Sequence, residues 1–239
     1  MGTHYQALSP CLWTLFLSLL AGCASFEPGL HQEDLARNRL PTARETKDGL
    51  EVSLEEFVSS KKSLQAFDAD VAGKGVLALL LRVDNKGQIN YRLAKTEIRA
   101  LLDGESLPML EGRDAADQAA TKDLGGRALG WTLATGPFAL VVAPLTLVGS
   151  SAHTNSVNQK IEQHFGALEF PDALVRPHES VTGFVYFKLP FRLQKIENLT
   201  VEIEPVEEAT EQKLSYRFNL PAFDIELPYS LRDRKVNDD

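Results

Sequence analysis

The chain has 239 residues, 44% of them hydrophobic, and a formal net charge of -8 at pH 7. That length allows one domain or two small ones, and the apolar fraction excludes wholesale disorder. The acidic balance excludes a general nucleic-acid binder, which needs a basic footprint.

All 25 Lys and Arg and all 33 Asp and Glu lie after residue 23. Ahead of them, residues 12–20 (LWTLFLSLL) form an apolar run that ends in Ala21, Gly22 and Cys23. Such a run followed by small residues reads as a signal peptide, too short to span a bilayer comfortably. Leu20-Ala21-Gly22-Cys23 resembles the lipobox of bacterial lipoproteins. The resemblance implies a signal peptide of residues 1–22, cleavage before Cys23, and acylation of the Cys23 thiol. Two or more acyl chains, at ~0.8 kcal/mol per buried CH₂, give stable anchoring. Cys11 leaves with the leader, so the mature chain has no internal disulfide and rests on its core. Ala24 and Ser25 follow, with no Asp at the second position. In a host that sorts lipoproteins as enteric bacteria do, this implies the outer membrane, facing the periplasm.

Residues 23–47 read as the acylated Cys and a flexible tether. They are polar, contain two prolines and show little periodicity, with a short helix expected at 32–39. From residue 48 the pattern becomes β. Leu50, Val52 and Leu54 alternate with polar neighbours, as in a half-buried strand. Residues 75–84 (GVLALLLRVD) are nearly all apolar, which suits a central strand buried on both faces. Asn85-Lys86-Gly87 reads as a turn and Asp103-Gly104 as a hairpin turn. Residues 107–110 read as one short return strand, with Pro108 marking an edge. After residue 179, strands are expected at 181–189, 199–203, 214–220 and 223–227. The fold class expected is mainly β. It is an immunoglobulin-like antiparallel β-sandwich, with halves at 48–112 and 172–239, interrupted by an apolar helical insert at 113–171. Residues 67–87 (FDADVAGKGVLALLLRVDNKG) and 172–190 (DALVRPHESVTGFVYFKLP) resemble bacterial envelope lipoproteins with LEA14-like, immunoglobulin-fold bodies. That resemblance implies a fold rather than an activity.

The insert begins with helical spacing at Ala115, Ala116, Ala119 and Ala120, and ends in an amphipathic segment at 155–168. Between them, residues 128–152 (ALGWTLATGPFALVVAPLTLVGSSA) carry no charge. Their length passes the test for a membrane-spanning helix, about 20 residues. A single span would put the two β halves on opposite sides of a bilayer, and neither half is a sandwich alone. Gly136-Pro137 and Pro144 are natural breaks, so a re-entrant apolar hairpin is expected. Trp131, Phe138, Leu140, Val141, Val142 and Leu145 are its expected contacts with membrane, an envelope protein partner or a second copy. The rival is that 128–152 packs under the sandwich as a second core layer.

Catalytic chemistry is sparse. His31, His153, His164 and His178 have no zinc spacing, no G-x-S-x-G elbow is present, and the glycine pairs lack a nucleotide-loop context. Glu202, Glu204, Glu207, Glu208 and Glu211 read as a solvated face and loop rather than a metal site. No cofactor, no metal and no nucleic-acid partner are expected. The reading is a non-enzymatic cell-envelope lipoprotein that contacts membrane through Cys23 and residues 128–152. The alternative is a carrier of a lipid or other hydrophobic ligand.

Overall fold

The computed structural model describes residues 26–35, 40–120, 159–190 and 193–225. The first half contains β1 (Ala43–Lys47), β2 (Leu50–Glu56), helix α1 (Ser60–Phe67), β3 (Val76–Asn85), β4 (Tyr91–Leu93), β5 (Ile98–Leu102), β6 (Glu105–Ser106), β7 (Met109–Leu110) and helix α2 (Gly112–Ala120). Helix α3 occupies residues 159–168. Then come β8 (Ala173–Val175), β9 (Ser180–Lys188), β10 (Lys195–Ile196), β11 (Leu199–Ile203), β12 (Val206–Glu207), β13 (Tyr216–Asn219) and β14 (Phe223–Asp224).

The fold is mainly β and antiparallel, as expected. One sheet has the order β1-β2-β3-β9-β7 and another β13-β11-β5-β6, with smaller sheets β12-β4-β8 and β10-β14. Alternation of side chains builds the sandwich core. Leu77, Leu79, Leu81 and Val83 of β3 point one way, with Leu50, Val52 and Leu54 of β2 and Val185 and Phe187 of β9. Against them pack Ile98 and Ala100 of β5, Val201 and Ile203 of β11, and Tyr216 and Phe218 of β13. Each Leu fully buried in this way contributes roughly 1.5–3 kcal/mol.

A third layer covers the other face of the five-stranded sheet. There Val76, Ala78 and Leu80 of β3 and Phe184 and Tyr186 of β9 meet Ala66 and Phe67 of α1. Ala115, Ala116 and Ala119 of α2 and Phe165 and Leu168 of α3 complete the contact. Two-sided cover explains why β3 reads as an unbroken apolar run.

Three expectations are corrected. Residues 43–47, placed in the tether, form strand β1, paired with β2 through the Asp48-Gly49 turn, whose φ angles are 48° and 81°. Leu30 and Leu35, also placed there, are each only 4% exposed, and a 3₁₀ turn covers Gln32–Asp34, while residues 36–39 of the helix expected at 32–39 lie outside the described residues. Positions 107–110 are not one return strand. β6 pairs with β5, whereas β7 pairs with β9 in the other sheet, so the chain crosses the sandwich at Leu107-Pro108. The insert does begin and end in helices, but residues 121–158, with the expected hairpin at 128–152, lie outside the described residues.

Candidate functional site

The outer face of the five-stranded sheet changes chemistry along its length. Beneath the helices it is apolar, ending in the row Glu55, Leu80 and Phe184. The next row is Ser53, Arg82 and Thr182, and the one after it Glu51, Asp84 and Ser180. These polar rows floor an open groove of about 500 Å³, also lined by Leu35 and Pro41.

Its charges are paired. Arg82 donates to Asp84 through Nε at 2.7 Å and Nη2 at 3.0 Å, and the Ser180 hydroxyl donates to the same carboxylate. Burial pushes the Asp84 carboxyl up, but the hydrogen bonds from Arg82 and Ser180 outweigh it and hold it below the usual carboxylate range. The bond to Asp84 raises the Arg82 guanidinium in turn. Glu51 meets Lys86 at 2.9 Å and Arg44 at 3.6 Å, and Glu55 meets Lys62 at 3.4 Å.

The Ser180 hydroxyl donates to Asp84, which Arg82 also holds, and the ring of His178 meets Gln88 at 3.4 Å. Among the described residues no group of three or more His, Cys, Asp or Glu is placed to hold a metal ion. No buried side-chain nitrogen or oxygen there lacks a partner. Leu54 and Leu80 add apolar surface to the same groove.

The helical layer gathers the sequence features that the groove does not use. Phe67 is fully buried, with ring centroids of Phe165 at 4.7 Å and Phe184 at 5.0 Å. His164 of α3 contacts the Ala66 carbonyl at 2.8 Å through Nε2. Phe26 packs edge-on against that imidazole at 5.4 Å. The Glu27 amide donates to Asp68 at 3.2 Å and the Gly29 amide to the Gln65 carbonyl at 2.8 Å. The chain therefore leaves Cys23 and docks on this layer within three residues.

The insert is rooted in the same layer. On its N-terminal side, Met109 and Leu110 pair with Phe187 and Tyr186 of β9. On its C-terminal side, Glu169 bridges to Phe184 of the same strand. A Cβ on Gly112 would stand 3.0 Å from the N and Cα of Gly166, so α2 and α3 approach backbone to backbone. The Gly112 amide donates to Glu169 at 3.1 Å. The other oxygen of that carboxylate accepts from Lys95 at 2.6 Å, and this bond raises the Lys95 ammonium. β3 and β9, which flank the insert in sequence, form nine consecutive pairs. A single bilayer crossing between them is incompatible with that pairing. Among the described residues no helix is long and apolar enough to cross a membrane.

The expected site residues Cys23, Trp131, Phe138, Leu140, Val141, Val142 and Leu145 all lie outside the described residues. The acidic cluster, expected to be solvated, is half-buried at Glu202, Glu204 and Glu207 and exposed at Glu208 and Glu211. Glu202 and Glu204 meet Arg99 at 3.2 and 3.5 Å, Lys213 meets Glu204 at 3.1 Å, and Arg92 meets Glu211 at 3.2 Å. The sequence reading missed the docking of Phe26 and all of α1. The available signal for α1 was Ser59, whose hydroxyl caps the helix by accepting from the Lys62 amide.

No family model matches the sequence. No curated protein matches it. Among solved structures, the chain is similar to the crystal structure of a candidate lipoprotein (ycdA) from Bacillus subtilis subsp. subtilis str. 168. The two are 10% identical with a TM-score of 0.35, and the match covers 76% of this chain and 39% of that one. The chain thus spans about two fifths of the length of that structure. A likeness this distant carries no argument about activity.

Proposed function

We propose that this chain is a non-enzymatic lipoprotein of the cell envelope, anchored in the outer membrane through acylated Cys23 and facing the periplasm. Residues 128–152 make a second, apolar contact. The observation that carries this reading is the rooting of the insert. Leu110 and Glu169, which flank the insert, both pair with β9, so the two ends of the segment that carries the uncharged residues 128–152 lie side by side. The leader and Leu20-Ala21-Gly22-Cys23 support the anchor. The ion-paired groove charges support a non-catalytic body.

The test uses leaderless protein with Cys23→Ser, in which only the second contact can hold vesicles. It is expected to bind. An ionised side chain at mid-bilayer, the depth of one leaflet, costs about 2.5–3.5 kcal/mol. Phe138→Asp with Val142→Asp should therefore lower partition by more than about a thousandfold. A Cys23→Ser protein that leaves vesicles untouched overturns the second contact.

A further inference from the structure

We infer that the helical layer of α1, α2 and α3 is the face that lies against the bilayer, and that the sheet β13-β11-β5-β6 faces away from it. This rests on the anchoring reading above. The anchor and the insert are far apart in sequence, yet both attach to this one layer. Phe26, three residues from Cys23, sits on His164 of α3. At ~3.3–3.6 Å per residue, the Cα of the acylated Cys is within about 11 Å of the Phe26 Cα. The insert leaves from α2 and returns to α3, whose backbones touch at Gly112 and Gly166. A body held at both places has little freedom to turn another face to the lipid.

The exposed side of the layer is mixed, with Lys61, Arg113, Asp114, Asp117 and Lys160 beside one large apolar side chain. Leu64 on α1 is 50% exposed, one of three large apolar side chains exposed among the described residues. An apolar side chain of this kind suits an interface in which part of its area leaves water. The opposite face is a ladder of charges. Arg99 and Arg217 both meet Glu202, at 3.2 and 3.7 Å, and Lys213 meets Glu204 at 3.1 Å. Burying that ladder against hydrocarbon would cost its solvation, so it belongs in water.

The test uses the lipidated full-length protein, purified in detergent and returned to vesicles of phosphatidylethanolamine and phosphatidylglycerol. The thioether at Cys23 does not react with maleimide, and Cys11 is removed with the leader. Leu64→Cys and Arg217→Cys, both at exposed positions, each receive a maleimide fluorophore. Lipids with a nitroxide on the headgroup then quench it. The expected result is quenching several-fold stronger for Leu64→Cys than for Arg217→Cys. Equal or reversed quenching overturns the orientation alone. Protection of Leu64→Cys in native envelopes but not in these vesicles also overturns it, because that face then meets a protein. Maleimide labelling of the unsubstituted protein at Cys23 overturns the anchor, and the orientation with it.

Discussion

Phe67→Ala tests whether the helical layer is an integral part of the fold. The ring is 0% exposed and touches Phe57, His164, Phe165, Phe184 and Tyr186, with centroids between 4.7 and 6.3 Å. Its neighbours Phe165 and Phe184 are themselves 0% exposed and anchored on α3 and β9, so the hole left by truncation closes poorly. Phe→Ala at such sites costs about 3–5 kcal/mol, and the rigid surroundings place this one near ~4. With a urea slope of about 2 kcal/mol/M, the unfolding midpoint should fall by about 2 M. Urea titration of leaderless Cys23→Ser protein, followed by far-ultraviolet circular dichroism, reads this directly. A midpoint shift below about 0.5 M would refute the packing of the layer on the sheet. The same variant should also loosen the docking of residues 26–35, read as faster proteolysis ahead of β1.

Two further outcomes test the sandwich core and the helical layer in turn. A Cβ at Gly183 would stand 2.5 Å from Cα of Phe170 and 2.6 Å from its nitrogen. Gly183→Ala must therefore push backbone apart, costing about 1–3 kcal/mol. Calorimetry should show Tm lower by roughly 3–10 °C, and an unchanged Tm would contradict the close crossing. Burial pushes the His164 imidazole below its ordinary 6.5, against the opposing pull of the Ala66 carbonyl. The unfolded chain then binds this proton first, so the stability it contributes is present above pH ~6.5 and falls as pH drops below it. Urea midpoints at pH 7.5 and 5.5 should differ more for the unsubstituted protein than for His164→Gln. Equal differences would contradict the burial of this ring.

How much was legible depends on what fixes each element. β3, β9, β11 and β13 carry their own pattern: alternation, or a full apolar run where both faces are covered. β1 (ARETK) carries none, because it is an edge strand with every residue half-buried or exposed. Its Asp48-Gly49 turn has the same chemistry as Asp103-Gly104, and only the latter was read as a hairpin. α1 is eight residues long and mostly polar, and only Ser63, Ala66 and Phe67 are buried. The split at Pro108 is tertiary, since Leu107 and Met109 answer to different sheets. The limit of the helical layer is written in β3 itself, where outward residues change from Ala78 and Leu80 to Arg82 and Asp84. Which distant segments supply the cover is not. Phe26 and His164 are 138 positions apart, and no local pattern joins them.

The central claim is that residues 128–152 are a membrane contact separate from both the anchor and the core. The most direct measurement is vesicle partition of two leaderless Cys23→Ser proteins, one intact and one with 128–152 replaced by a short Gly/Ser linker. The helices α2 and α3 remain in both, so both should fold with equal urea midpoints. The account predicts that only the intact protein binds vesicles. If the two stay equally free in solution, the contact with lipid is contradicted. If the shortened protein unfolds, residues 128–152 belong to the core and the account fails.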